Sequence, residues 1–257
     1  MLFRRLSRHV KSENWFAVAI DFFIVVVGVF IGLQVANWNE ARTERQLSHE
    51  YVKRLTIDLE NDLAASKTLT EYYDQVLQSV ETTDRLLSLP NPDAQAVIIA
   101  AYRASEFTNN PQSRATWDQI VSSGHLSLLP DAVIDSGLSD YYKFQNSNDD
   151  VNALLLESPY RLVVRSLIPL PLQLSIREGC SDVMDDMNVI HGFASECLLN
   201  VDPSTLKVTA DALRASKPLR ESLRYQYSMV ASVQVNNGGN LAQLEVLLKA
   251  LSTKAAP

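Results

Sequence analysis

Cysteine and histidine are scarce in this chain: two of the first, Cys180 and Cys197, and four of the second, His9, His49, His125 and His191. None stands at a metal-binding spacing. His49-Glu50 lacks the second histidine of a zinc-protease helix, and His191 with Cys197 supplies at most two soft ligands. Glycine is also sparse, and neither a G-x-S-x-G elbow nor a phosphate-cradling glycine loop occurs. Apolar residues almost never alternate with period two, which excludes a sheet-built core. The acid pairs Asp149-Asp150 and Asp185-Asp186 invite a calcium reading, but paired acids on an acidic helical surface are ordinarily solvated. No catalytic constellation and no cofactor site is expected, so the chain is not read as an enzyme.

Long hydrophobic runs are missing too, with one exception. Residues 15–36, WFAVAIDFFIVVVGVFIGLQVA, are almost wholly apolar. As a helix they extend roughly 33 Å, the thickness of a bilayer's hydrocarbon core. A cleaved secretory signal has a shorter apolar region and a small-x-small cleavage site, whereas this run leads directly into charged helix, so an uncleaved anchor over residues 15–38 is expected. Trp15 and Trp38 would lie at the two headgroup levels. Arg4, Arg5, Arg8 and Lys11 precede the span, opposed only by Glu13, and charges just after it are balanced. The positive-inside rule then places the leader, residues 1–14, in the cytoplasm and residues 39–257 in the bacterial periplasm.

The whole chain carries a net charge of −7. Residues 40–257 hold 19 basic and 28 acidic side chains. Such a surface disfavours nucleic acid as a partner. The lipid bilayer is the partner the span implies.

Beyond the span, apolar residues recur with helical spacing. Leu47, Tyr51, Leu55, Leu59 and Leu63 form one stripe, continued by Leu69, Tyr73, Val76, Val80 and Leu87. Without Gly or Pro between residues 33 and 89, this reads as a stalk helix over about 39–89, stopped by Pro90-Asn91-Pro92. A bundle over about 93–251 follows. Its predicted helices are Asp93 to Ala104, one from Ser113 stopped at Gly124, one from Pro130 reaching Leu167 with a kink or break at Pro159 and ended by Pro169 and Pro171, and a weak one over 173–199. The last three are a helix opened by Asp202-Pro203, then Ser216 to Val235 and Asn240 to Leu251, separated or bent at Gly238-Gly239. The fold class is all-α: one transmembrane helix continuing into a stalk and an antiparallel bundle.

The segment VVVGVFIGLQVANWNEARTERQL resembles the signature of an uncharacterised bacterial family, a domain of unknown function. Its members begin with a spanning helix reading roughly G-E-x-x-L-V-x-x-G-I-x-I-A-L-Q-x-N-N-W-N-E. Gln34, Asn37, Trp38, Asn39 and Glu40 match in register. The stretch from Thr116 to Tyr142 is similar to the family's second block. Asp21 stands where the family usually has Glu, after Ile20 rather than Gly, and Ala36 replaces the first Asn. The resemblance implies a single-span, helix-rich inner-membrane protein with a periplasmic domain and no established activity.

Asp21, Gly28, Gly32 and Ala36 fall on one face of the spanning helix. Small residues at such spacing favour close helix packing in lipid, and a carboxylate there is costly unless neutral, paired or near water. That face either meets another transmembrane helix, from a second copy or a larger complex, or is ordinary spanning-helix composition with Asp21 reaching headgroup water. Cys180 and Cys197 are either bridged, as an oxidising compartment permits, or two buried thiols. Trp117, Tyr141, Tyr142, Tyr225 and Tyr227 line a ligand cleft or serve as core. Function accordingly reads as a membrane-anchored scaffold or accessory subunit, with a ligand-binding or sensing module as the alternative and an enzyme the weakest reading.

Overall fold

The computed structural model describes residues 15–109, 112–180, 182–185 and 189–253. The basic leader, the side chain of Trp15, and the acids Asp149 and Asp186 lie outside what is described. The chain forms two compact units, residues 1–51 and 52–257. Helix α1, Trp15–Ser88, contributes to both. Over residues 18–36 it is a bare, largely apolar rod: Phe22, Phe23 and Phe30 are 60–71% exposed.

The second unit is nearly all α-helical. After α1 come α2 (Ala94–Arg103), α3 (Ala115–Ser122), a 3-10 turn at Leu126–Leu128, α4 (Asp131–Asp135), α5 (Leu138–Leu156), α6 (Pro159–Leu167) and α7 (Leu170–Gly179). A two-stranded hairpin, β1 (Asp182–Met184) and β2 (Ile190–Phe193), precedes α8 (Pro203–Ala215) and α9 (Lys217–Ser252). The helix starts are encoded locally. Asp93 accepts from the Ala96 amide, Ser158 from Arg161, Asp202 from Ser204 and Thr205, and Ser216 from Leu219. Each satisfies amides with no partner inside the helix, and proline in the first turn of α6, α8 and α9 wastes no hydrogen bond.

The apolar stripe of α1 is buried at Leu55, Leu59, Leu69, Tyr73, Val76, Val80 and Leu87. Its lower part, Val80 and Leu87, packs with Val97 and Ile98 of α2, Tyr160 and Val164 of α6, Leu172 and Ile176 of α7, Leu213 of α8, and Leu219 and Leu223 of α9. A second cluster joins Leu69, Tyr72, Tyr73 and Val76 to Leu155, Val230 and Val233. Each fully buried aliphatic or aromatic side chain contributes about 1.5–3 kcal/mol, which is why the long C-terminal helix closes the bundle.

Four expectations are corrected. The weak helix over 173–199 is instead the end of α7 followed by the antiparallel hairpin, with Asp182 opposite Phe193, Val183 opposite Gly192 and Met184 opposite Ile190. Gly192 has φ of +146°, a conformation a helix cannot use. Gln75 of α1 then fixes the hairpin by accepting from the Phe193 amide at 2.8 Å. Gly238-Gly239 does not separate α9 into two helices, because buried Asn237, Asn240 and Leu244 hold both sides of the pair and packing overrides propensity. The helix expected from Pro130 ends at Leu167 and breaks at Ser158–Pro159 as expected, but it is broken a second time at Gly137, whose φ of +85° suits glycine, so that it is three helices. Pro169 and Pro171 open α7 as well as closing α6, Pro169 standing at its N-cap.

Candidate functional site

The apolar N-terminal end of α1 is the first candidate. A regular helix over Trp15–Ser88 keeps Asp21, Gly28, Gly32 and Ala36 on one side, all of them exposed. Among the described residues, nothing beyond the helix's own backbone lies within 4 Å of where a Cβ would sit on Gly28 or Gly32. Nothing inside the chain therefore requires glycine at either position. Trp38 is exposed, with Arg42 stacked 6.0 Å from its ring centroid.

The second candidate lies where the second sequence block meets α1. Asp62, only 2% exposed, accepts from the Ser113 amide at 2.8 Å and from the Tyr141 hydroxyl at 2.9 Å. Trp117 stacks on Tyr142 at 4.8 Å, and Arg114 lies 5.5 Å from the Tyr142 centroid. These three aromatics are core residues, whereas Tyr225 and Tyr227 are exposed elsewhere, so the five do not form one cleft. Burial pushes the Asp62 carboxyl up to about 6, offset in part by the Ser113 and Tyr141 hydrogen bonds. Because the folded value exceeds the unfolded one, this group's stabilisation is complete below about pH 4 and is lost as pH rises through 6, with a slope of at most about 1.4 kcal/mol per pH unit. Asp62→Asn is expected to flatten the dependence of the unfolding midpoint between pH 4 and 7. An unchanged slope in that window contradicts the assignment.

A third feature is a buried ionic cage. Glu106, 7% exposed, follows α2, and Arg161 and Arg165 of α6 reach its carboxylate at 3.5 and 3.0 Å, with Arg177 of α7 at 3.9 Å. Arg165 also lies 3.3 Å from the Tyr102 centroid. Arg103 stacks on Phe193 at 5.0 Å and donates to the Ala194 carbonyl at 2.7 Å. Asp182 completes the ring, its carboxyl raised chiefly by burial and then by Glu106. Sequence reading missed this cage, since its members span residues 102–193 and no spacing links them; only the run of arginines at one-turn intervals, Arg161 and Arg165, hinted at it.

An open cleft of about 420 Å³ lies along α4, α5 and α9, lined by Asp135, Gly137, Tyr141, Phe144, Gly239 and Gln243, among others. Cys180 and Cys197 are joined by a disulfide with a Cα–Cα distance of 4.6 Å. His191 pairs with Asp185 at 3.0 Å, and among the described residues no three His, Cys, Asp or Glu groups are placed to hold a metal ion.

Neither the curated proteins nor the solved structures contain a match to this chain. A model of DUF6090, described as a family of unknown function, matches residues 21–190. That match runs from Asp21 through the bundle as far as the hairpin, more than half of the chain, and the protein therefore belongs to the DUF6090 family.

Proposed function

We propose that this protein is a membrane-anchored scaffold or accessory subunit. Residues 15–38 cross the bacterial inner membrane, the leader is cytoplasmic, and the helical domain is periplasmic. The Asp21, Gly28, Gly32 and Ala36 face pairs with the spanning helix of a second copy or of a larger membrane assembly. The observation that carries this reading is the Val18 end of α1, apolar enough to cross a membrane and with none of its most apolar window buried in the protein. Water does not tolerate such a rod, and a bilayer does. The disulfide supports an oxidising compartment for the domain. The proposal includes no reaction.

Replacing Gly28 and Gly32 together by Ile should weaken association of the full chain in bilayers at least tenfold, since side chains there hold the backbones apart. Resonance energy transfer between labelled copies reads self-association, and co-purification in mild detergent reads the larger assembly. Unchanged association in both experiments removes the pairing face from the proposal. Cysteine labelling from outside intact spheroplasts tests topology: an added cysteine beyond Glu40 must react and one in the leader must not.

The 420 Å³ cleft favours a second reading, a ligand-binding module that passes its state to a partner. Reproducible thermal stabilisation by an envelope metabolite, lost on substituting Phe144, supports it; stabilisation only by a co-purifying membrane partner supports the scaffold.

A further inference from the structure

We infer that the outer face of α9 is a docking surface for the same face of a second copy of this chain. It is a different surface from the Asp21 face of α1, and it stands on its own observations.

α9 has two seams. The inner one, from Leu219 to Leu251, is buried in the bundle. The outer one, Ser228, Ser232, Val235, Gly239, Ala242 and Val246, advances by alternate steps of four and three residues, the spacing of a seam that packs on another helix. All six are exposed, Val235 by 75% and Val246 by 50%. A surface helix ordinarily carries charged side chains on this side. Here residues 225–244, about 30 Å of helix, contain no Asp, Glu, Lys or Arg. The two serines turn their hydroxyls back into the helix: Ser228 donates to the Arg224 carbonyl at 3.3 Å and Ser232 to the Ser228 carbonyl at 2.9 Å. A facing helix therefore meets no hydroxyl that it must satisfy.

The glycines are an independent observation. Gly238 and Gly239 weaken a helix interior more than any residue except proline. Among the described residues, nothing beyond the helix's own backbone lies within 4 Å of where a Cβ would sit on either. The bundle itself therefore gains nothing from their missing side chains. Such a pair permits the close approach of a second backbone from outside. Gly239 also borders the open cleft beside α4 and α5, whereas Gly238 does not, so Gly238 is the position to test.

Charge names the occupant. Over residues 40–257 acidic side chains outnumber basic ones by 28 to 19, so two copies repel across most of their surfaces. The strip is spared, and each of its ends is neutral: Glu221 stands with Arg224 at one and Glu245 with Lys249 at the other. A basic partner is drawn to the acidic remainder of the domain, and an acidic partner is repelled by it. An uncharged strip of small residues with neutral ends is matched by a copy of itself, the self-complementary contact of a two-fold dimer.

The test is cysteine crosslinking of the full chain in phospholipid vesicles. Cys180 and Cys197 are bonded to each other, so an introduced thiol is the reactive one. Under mild oxidation Val235→Cys should give a covalent dimer, whereas Val208→Cys on α8, 69% exposed, should not. Adding Gly238→Leu to Val235→Cys should weaken dimer formation about tenfold, because the side chain holds the backbones apart. The same replacement should leave the thermal midpoint in detergent unchanged or raised, since leucine favours helix. If that variant does not fold, Ala242→Glu decides, because it sets like charges across the two-fold axis. Replacing Gly28 and Gly32 by Ile should leave the Val235→Cys dimer in place. A dimer yield at Val235→Cys no higher than at Val208→Cys overturns the proposal. So does a yield unchanged by Gly238→Leu, or a dimer that disappears with Gly28 and Gly32.

Discussion

Glu106→Gln should lower the unfolding free energy by about 3–5 kcal/mol, the usual cost of removing one partner from a buried ionic cluster. The side chain is buried against Arg161 and Arg165, which are themselves only 17% exposed. Glutamine preserves shape and one accepting oxygen, so packing changes little and the loss is electrostatic. Two guanidiniums then share a low-dielectric site in which Asp182, itself raised by burial, is the carboxyl left to offset them. Arg177 is largely solvated, and its pairing at 3.9 Å adds little. In chemical denaturation the midpoint should fall without a change in slope. A double replacement, Glu106→Gln with Arg165→Met, should recover part of the loss, since the charge left unpaired is removed as well. A single variant as stable as the parent shows that the cluster is solvated in solution and sinks both this expectation and the low-dielectric environment on which it rests.

Opening the Cys180–Cys197 bridge should cost about 3 kcal/mol, the value for a closed loop of this length. The bridge spans a sequence separation of 17 and encloses the hairpin. Docking of that excursion otherwise depends on Ile190 and Phe193 packed against the Tyr72 cluster and on a few polar clasps: Gln75 to the Phe193 amide, Arg103 to the Ala194 carbonyl, and Gln95, which donates to the Cys197 carbonyl at 3.3 Å and accepts from the Leu199 amide at 3.2 Å. Cys180 packs among Ile176 and Leu199 in the larger apolar cluster. A double serine variant therefore also places hydroxyls beside that cluster. Helical content should persist while cleavage by a protease between residues 180 and 197 accelerates, because the loss is local. Equal midpoints and equal cleavage rates for the parent and the variant would falsify the bridge as a structural staple.

Much of the helical framework was legible because its signals lie within one turn. Asp93, Asp202 followed by Pro203, and Ser216 each announce a helix through a cap that a neighbouring amide satisfies. The stripe on α1 follows from period alone, although its regularity hid one exception: Asp62, not Leu63, takes the buried position. Leu63 is only half-buried. A carboxylate there is tolerable because Tyr141, 79 residues away, and Ser113, 51 residues away, supply its hydrogen bonds. Nothing near Asp62 in sequence reveals either.

Local chemistry by itself determined that this chain is helical, where most of its helices begin, and that residues 15–36 form a rod of membrane-spanning length. Hydrophobic period, caps and apolar run length act over a few residues, and any fold must respect them. Tertiary structure decided the rest: that 182–184 pairs with 190–193 under Gln75, that α9 continues through Gly238-Gly239, and that Glu106 gathers three arginines. Those outcomes depend on burial and charge compensation among groups up to about a hundred residues apart, a balance settled only when the chain has closed on itself.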